Sequence, residues 1–144
     1  RLDEVQAAIV CVKLRYLSQD NARRQQVARQ YDRALATSGL ILPNRRAGYD
    51  HVFHQYVVRS TRRDDLKKHM GSHSIGTAIH YPVPIHLQPA YRDRVCIDGA
   101  CLENTERLCQ EVLSLPMHPH VTDEQVLRVT ESIVAWSSAA SEKV

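Results

Sequence analysis

The chain has 144 residues, of which 43% are hydrophobic and 24% are charged, a balance typical of a globular domain with its own core. Its 19 basic and 16 acidic residues leave a net charge of +3, which is too small to indicate a nucleic acid as partner. No apolar run approaches the roughly 20 residues of a membrane span. The composition therefore predicts neither a nucleic-acid nor a membrane partner.

The start of the chain and its cysteines bear on its origin. The first residue is Arg1, and no charged leader with an apolar centre precedes the first helical pattern. We therefore expect the sequence to begin inside a longer protein and to carry no export signal. Four cysteines in a chain of this length do not make the disulfide framework of a small secreted domain. They are predicted to be free thiols, and the protein is predicted to be cytoplasmic.

The first quarter of the sequence is predicted to be helical. Apolar residues recur at helical spacing, namely Leu2, Val5, Ile9, Val12, Tyr16, Val27, Tyr31 and Leu35. This pattern predicts a helix over residues 2–37, broken near residues 18–21, where short polar side chains compete with helical hydrogen bonds. Gly39 supplies the C-terminal stop. Cys11, flanked by valines, is predicted to be a small core residue.

The remainder alternates between extended and helical patterns. Strands are predicted at 52–58 and 75–81, helices at 62–69 and 105–112, and a short extended piece at 113–117. Thr122 and Gln125 have the spacing of a capping box. They open a last helix whose Val126, Val129, Ile133 and Trp136 share one face. A long helix followed by β-α-β-α-β-α indicates an α/β fold, with one small sheet covered by helices.

The segment HYPVPIHLQPAY, residues 80–91, is the best pointer to function, and we call it the histidine loop. Pro82 and Pro84 fix φ and remove backbone donors, so the preceding strand must end there. A stiff segment that carries imidazoles and a phenol at a strand end suits the wall of a binding site. We predict that His80, Tyr81 and His86 bind substrate.

Each of these residues also has a plainer interpretation. One of His80 and Tyr81 packs inward if both belong to the strand, because neighbouring strand residues face opposite sides. His86 either lines the pocket or only forms a hydrogen bond within the rigid loop. The sequence favours a substrate-facing role for at least one of the first two.

Two other clusters have ordinary explanations. The eight histidines and the cysteines contain neither a CxxC pair nor an HExxH helix, so no metal site is predicted. Arginines crowd the first helix at Arg23, Arg24, Arg29 and Arg33, and basic residues recur between positions 59 and 68. Acidic residues interleave with both groups, which is typical of a solvated helix face.

Six segments of the chain, taken together, resemble one enzyme family. They are RLDEVQAA at 1–8, RRQQVARQY at 23–31, HVFHQYVVR at 51–59, IGT at 75–77 with the histidine loop, TER at 105–107, and EVLSLPM at 111–117. In this order they are similar to nucleotide-sugar aminotransferases of the DegT type. The match of residues 75–91 is the most specific.

The resemblance implies the small C-terminal domain of a pyridoxal-phosphate enzyme with the aspartate-aminotransferase fold. Such enzymes transfer an amino group, usually from glutamate, to a keto-sugar attached to a nucleoside diphosphate. In the family, the Schiff-base lysine lies upstream of the first matching segment. None of Lys13, Lys67, Lys68 and Lys143 stands in a matching position, so no catalytic residue is expected in this chain. Arg1 is the one candidate contact to the cofactor phosphate.

The resemblance also suggests how the chain is organised. We predict an inter-domain helical region at 1–38, a small α/β domain at 39–139 and a frayed tail at 140–144. The parent protein is expected to be a homodimer whose active sites lie at the subunit interface. The apolar stripe of the first helix would pack on the missing large domain or on the partner subunit. The alternative is a stand-alone or degenerate small domain that binds partners without catalysis.

Overall fold

The computed structural model describes residues 3–91, 94 and 102–141. Of these, residues 140 and 141 are described by their backbone alone. In chain order the elements are α1 (Glu4–Leu14), α2 (Leu17–Ala34), β1 (Tyr56–Arg59), α3 (Arg63–Ser72), a 3-10 turn (Ile85–Leu87), α4 (Glu103–Glu111), β2 (Val112–Leu115) and α5 (Asp123–Ser141). Helices surround a small sheet, as the alternating pattern predicts. None of the helices in the described part of the chain is long and apolar enough to cross a membrane.

The sheet consists of β1 and β2, which run antiparallel with Tyr56 opposite Leu115 and Arg59 opposite Val112. One further residue pairs with the outer edge of each strand. Ile41 exchanges two backbone hydrogen bonds with Arg59, at 3.0 and 2.9 Å. On the other edge, Ala78 pairs with Ser114 of β2. Four segments of chain therefore lie side by side, although only the central two are strands.

The predicted strand at 52–58 is wrong in its first half, because strand structure begins only at Tyr56. Phe53 has a φ of +48°, a left-handed conformation that an extended ladder does not accept. The backbone N–H of Phe53 instead donates to Nδ1 of His51, at 2.9 Å. A local turn therefore replaces the extended backbone that the β-branched and aromatic composition favoured.

The second predicted strand, residues 75–81, is also wrong, since it contributes only the isolated pair between Ala78 and Ser114. Ser74 has a φ of +58°, which turns the chain immediately before the segment. The backbone N–H of Ile75 then donates to Met70 at the end of α3, not to a strand. Pro82, directly after the segment, has no N–H to donate, so a ladder could not continue beyond Tyr81 either.

The helices differ from prediction mainly at their ends. The break in the first helix lies at Arg15 and Tyr16, whose N–H groups bond three residues back, so that the helix ends in a tighter turn. The polar residues 18–21 lie within the first turns of α2, which ends at Ala34, three residues earlier than predicted. The predicted helices at 62–69 and 105–112 become α3 and α4 with shifted bounds.

The core lies between the sheet and the helices α2, α3 and α5. Its largest fully buried side chains are Tyr31, Tyr56, Phe53, Leu35, Leu66, Met70, Leu113, Ile133, Val27 and Val58. The predicted face of the last helix is buried, with Ile133 at 0% exposure and Trp136 at 9%. The capping box is confirmed, because the Thr122 and Gln125 side chains each accept from the other's backbone N–H.

Two of the arginines on α2 are not part of a solvated face. Arg23 donates to the carbonyl of Val121 at 2.6 Å and to Asp123 at 2.8 Å. Arg24 donates to the carbonyls of His54 and Met117, at 3.3 and 3.4 Å. These guanidinium groups tie α2 to the loops around the sheet, because each offers several donors in a fixed geometry.

The first helix, α1, buries no residue. Val5, Ile9 and Val12 are 68%, 56% and 54% exposed. The prediction that Cys11 is a core residue is wrong for this chain, since Cys11 is exposed. The apolar residues of α1 therefore lie largely on the surface of the described structure.

Candidate functional site

The candidate site is built on the edge of β2 that faces away from β1. Ala78 and Ser114 exchange two backbone hydrogen bonds, at 3.2 and 2.8 Å. This pairing brings His80, two residues further on, beside the same serine, and His80 Nδ1 lies 2.9 Å from Ser114 Oγ. Either tautomer of the imidazole satisfies this bond, because a hydroxyl both donates and accepts. The other ring nitrogen, Nε2, has no partner among the described residues.

A cleft of about 420 Å³ opens beside this pair. Its wall is formed by His54, Gln55, Gly76, Thr77, Ala78, His80, Ser114, Leu115, Pro116 and Met117. Imidazoles, hydroxyls and an amide therefore surround the opening, while no described carboxylate or amine belongs to its wall. Such polar donors and acceptors suit the hydroxyl groups of a sugar, which need hydrogen-bond partners and no opposite charge.

Tyr81 lies next to this cleft without lining it. Its side chain is 72% exposed, and its ring meets the His80 ring edge to face, with centroids 5.7 Å apart. Tyr81 lines a second depression of about 500 Å³, together with Pro82, Val83, Gln88, Pro89 and Ala90. The two neighbouring predicted residues thus contact each other and face two different openings.

His86 is placed differently from the other two predicted residues. It lies in the 3-10 turn, its side chain is 9% exposed, and its Nε2 is 3.0 Å from Glu106 Oε1 on α4. It belongs to neither the 420 Å³ cleft nor the Tyr81 depression. Arg1, the candidate contact to a cofactor phosphate, lies outside the described residues.

Two residues of the site were not predicted from the sequence. Ser114 stands between Leu113 and Leu115, and a hydroxyl inside an apolar strand is the signal that could have drawn attention to it. His54 was assigned to the interior of a strand, but it lies in the turn before β1. It borders the 420 Å³ cleft and also a larger one of about 640 Å³ against α1.

The described residues do not by themselves form a site for pyridoxal phosphate. That cofactor needs a lysine for the Schiff base, an acidic partner for the pyridine nitrogen and donors for the phosphate. Lys67 and Lys68 are exposed on α3, and Lys13 borders the larger cleft, not the one at His80. No group of three or more potential metal ligands occurs within the described ranges.

The amino-acid sequence is similar to one protein family over most of its length. Residues 1–134 match the model of the DegT/DnrJ/EryC1/StrS aminotransferase family. The dTDP-3-amino-3,4,6-trideoxy-alpha-D-glucose transaminase of Streptomyces venezuelae is 41% identical over 138 residues, which are 95% of this chain and 36% of the relative. The pleiotropic regulatory protein of Geobacillus stearothermophilus is 40% identical, over 94% of this chain and 37% of its own length.

Solved structures agree with the sequence comparisons. The crystal structure of Streptomyces venezuelae DesV in complex with a ketimine intermediate matches with a TM-score of 0.89 and 40% identity, covering 95% of this chain and 37% of that one. A DegT DnrJ EryC1 StrS aminotransferase from Brucella abortus also reaches 0.89, at 33% identity, over 95% and 36% of the two chains. These matches confirm both the predicted family and the α/β fold class. The chain spans little more than a third of the relatives that it matches, and it belongs to the DegT/DnrJ/EryC1/StrS aminotransferase family.

Proposed function

We propose that this chain forms one wall of the active site in a pyridoxal-phosphate-dependent sugar aminotransferase. The complete protein would transfer an amino group from glutamate to a keto-sugar attached to a nucleoside diphosphate. The observation that carries the proposal is the polar cleft at His80, part of whose wall comes from the segment with the most specific family match. Relatives that are named as transaminases of dTDP-sugars and UDP-sugars support the substrate class.

The proposed division of labour follows from the side chains at the cleft. The Nε2 atom of His80 forms a hydrogen bond with a sugar oxygen, while Ser114 holds the ring in place through Nδ1. The exposed phenol of Tyr81 donates to the same ligand from the neighbouring depression. Pyridoxal phosphate, when bound, supplies the electron sink for amino transfer, and residues outside the described part of this chain hold it.

The parent protein is further proposed to be a homodimer, with its active sites between subunits. Support comes from α1, which buries no residue and leaves Val5, Ile9 and Val12 more than half exposed in the described structure. A cytoplasmic location remains a prediction from the sequence. Which ring carbon receives the amine depends on contacts beyond this cleft.

The test is an absorbance spectrum of the protein expressed from the complete reading frame, before and after borohydride reduction. We expect a cofactor band that borohydride traps on a lysine, followed by turnover of a nucleotide keto-sugar with glutamate. The 144-residue chain alone serves as the control and should show no such band. A folded complete protein without the band would contradict the proposal.

That contrary result would favour the second candidate function, a small domain that binds partners without catalysis. Two relatives are named for regulation and not for an enzymatic step, the pleiotropic regulatory protein and the erythromycin biosynthesis sensory transduction protein EryC1 of Saccharopolyspora erythraea. The latter is 41% identical over 136 residues, or 94% of this chain.

A further inference from the structure

The histidine loop is attached to the rest of the described structure by two imidazoles. At its start, His80 Nδ1 meets Ser114 Oγ of β2 at 2.9 Å. Six residues later, His86 Nε2 meets Glu106 Oε1 of α4 at 3.0 Å. The first bond fixes the loop to the sheet, and the second fixes it to a helix.

The other hydrogen bonds of the loop remain local. Gln88 donates from its side chain to the carbonyl of Val83, and the backbone N–H groups of Leu87, Gln88 and Tyr91 each bond three residues back. Prolines 82, 84 and 89 have no N–H to offer. Within the described residues, the two histidine side chains therefore make all the hydrogen bonds between the loop and distant parts of the chain.

Burial distinguishes the two imidazoles, since His80 is an exposed residue and His86 is not. The His86 side chain is 9% exposed, and the Glu106 side chain is 45% exposed, so the ring is enclosed while its carboxylate partner reaches solvent. Because so little of the His86 ring is exposed and its Nε2 is bonded to a carboxylate, the ring presents almost no surface to a substrate. The arrangement instead matches a second-layer contact that fixes the position of a functional segment.

Ser114 has a comparable role at the other end of the loop. Its backbone pairs with Ala78, and its hydroxyl bonds to His80. The side chain itself is buried in β2, at 5% exposure for the whole residue. The strand thus fixes both the backbone that enters the loop and the first imidazole on it.

We propose that Glu106 and Ser114 are positioning residues that hold the histidine loop against the substrate, with His86 as an anchor and not as a ligand. This inference rests on the proposed function, because it names the residues that keep the same site in place. It assigns the substrate contacts of the loop to His80 and Tyr81 alone.

The test compares Glu106→Ala and Glu106→Gln with Glu103→Ala. Glu103 lies one turn earlier on α4, is exposed, and has no bonded partner in the described structure, which makes it a matched control. Gln keeps an oxygen that accepts from the imidazole, so it should rescue most of the effect. Ser114→Ala removes the second anchor with little change in volume and provides an independent variant.

The first readout is amide hydrogen exchange in the complete protein. In Glu106→Ala we expect exchange in peptides covering residues 83–91 to accelerate about tenfold, because a local anchor is lost. Peptides from α2 and α5 should be unchanged, and Glu103→Ala should match the original chain. Equal acceleration in every peptide, or none in the loop, would overturn the proposal.

The second readout is steady-state kinetics of the complete protein with its nucleotide keto-sugar. For Glu106→Ala we expect KM to rise about tenfold, the equivalent of about 1.4 kcal/mol of binding, with kcat within about twofold. If hydrogen exchange in the loop is faster but KM is unchanged, the positioning role is overturned. If the complete protein does not transaminate at all, the proposed function fails, while hydrogen exchange still decides whether the anchors exist.

Discussion

At the scale of single residues, Asp32 connects the core to the loop that follows α2. Its Oδ1 accepts from the hydroxyl of Tyr56 at 2.7 Å, and its Oδ2 accepts from two nitrogens of Arg45. Burial raises the pKa of Tyr56 above its ordinary value, and the hydrogen bond to Asp32 raises it further. The phenol of Tyr56 therefore remains protonated at neutral pH and donates its hydrogen bond to Asp32.

Replacing Asp32 should destabilise the chain. Asp32→Ala leaves the hydroxyl of Tyr56, a residue with no exposed surface, without an acceptor, and we expect a loss of about 2 kcal/mol in the free energy of unfolding. Urea denaturation followed by circular dichroism measures the change. Asp50→Ala is the control, because Asp50 is exposed and has no described partner. Equal stabilities of the two variants would refute this role.

Sequence reasoning identified few of these residue-scale contacts. The HYPVPIH segment stands out in the sequence because adjacent prolines and rings are a local signal, and the structure places its His80 beside Ser114. Asp32, Arg23 and Glu106 gave no such signal, because their partners lie 13 to 100 residues away in the sequence. Only the folded arrangement distinguishes an arginine that bridges two elements from one on a solvated face.

At the scale of elements, the sequence predicts a structure well when residues close together in the sequence form it by themselves. The capping box of α5 needs only Thr122 and Gln125, and it forms as predicted. The strand predicted at 75–81 needed a partner, and β2 offers it a single residue, Ser114. The strand predicted at 52–58 forms only from Tyr56 onwards, because the positive φ at Phe53 interrupts an otherwise favourable composition.

The packing of α2 against α5 depends on a carboxylate that should make stability sensitive to pH. Asp123, in the first turn of α5, accepts from Gln30 and Arg23 of α2, at 3.0 and 2.8 Å. The hydrogen bonds from Gln30 and from Arg23 lower the pKa of Asp123 below its ordinary value. In the unfolded chain the carboxyl returns to a pKa of about 3.9.

The sign of the pH effect follows from that difference. A lowered native pKa stabilises the fold above the unfolded value, and the contribution is lost as the pH falls from about 5 through the native pKa. Asp123→Asn should therefore lower the unfolding midpoint at pH 7 and make little difference near pH 2. Urea titrations at several pH values test this, with Glu124→Gln as the control from the same helical turn. A difference that persists undiminished at low pH would contradict the assignment.

At the scale of the whole molecule, α1 contributes no residue to the described core. The core uses α2, α3, α5 and the sheet, while α1 presents Val5, Ile9 and Val12 to solvent. A helix with so many apolar residues is stable mainly when another surface covers it. The relatives are almost three times as long as this chain, and we expect a large domain or a partner subunit to provide that cover in the parent protein.

The isolated chain should consequently self-associate and bind a hydrophobic dye, because a contiguous apolar patch on a soluble protein favours association. The double variant Ile9→Lys with Val12→Lys should shift the sedimentation profile towards the monomer and reduce dye fluorescence several-fold. Leu127→Lys is the control, since Leu127 is 55% exposed but lies on α5. If the chain without substitutions is monodisperse and binds no dye, then α1 is stable without another surface packed against it. Association that Leu127→Lys abolishes equally would place the contact elsewhere on the surface.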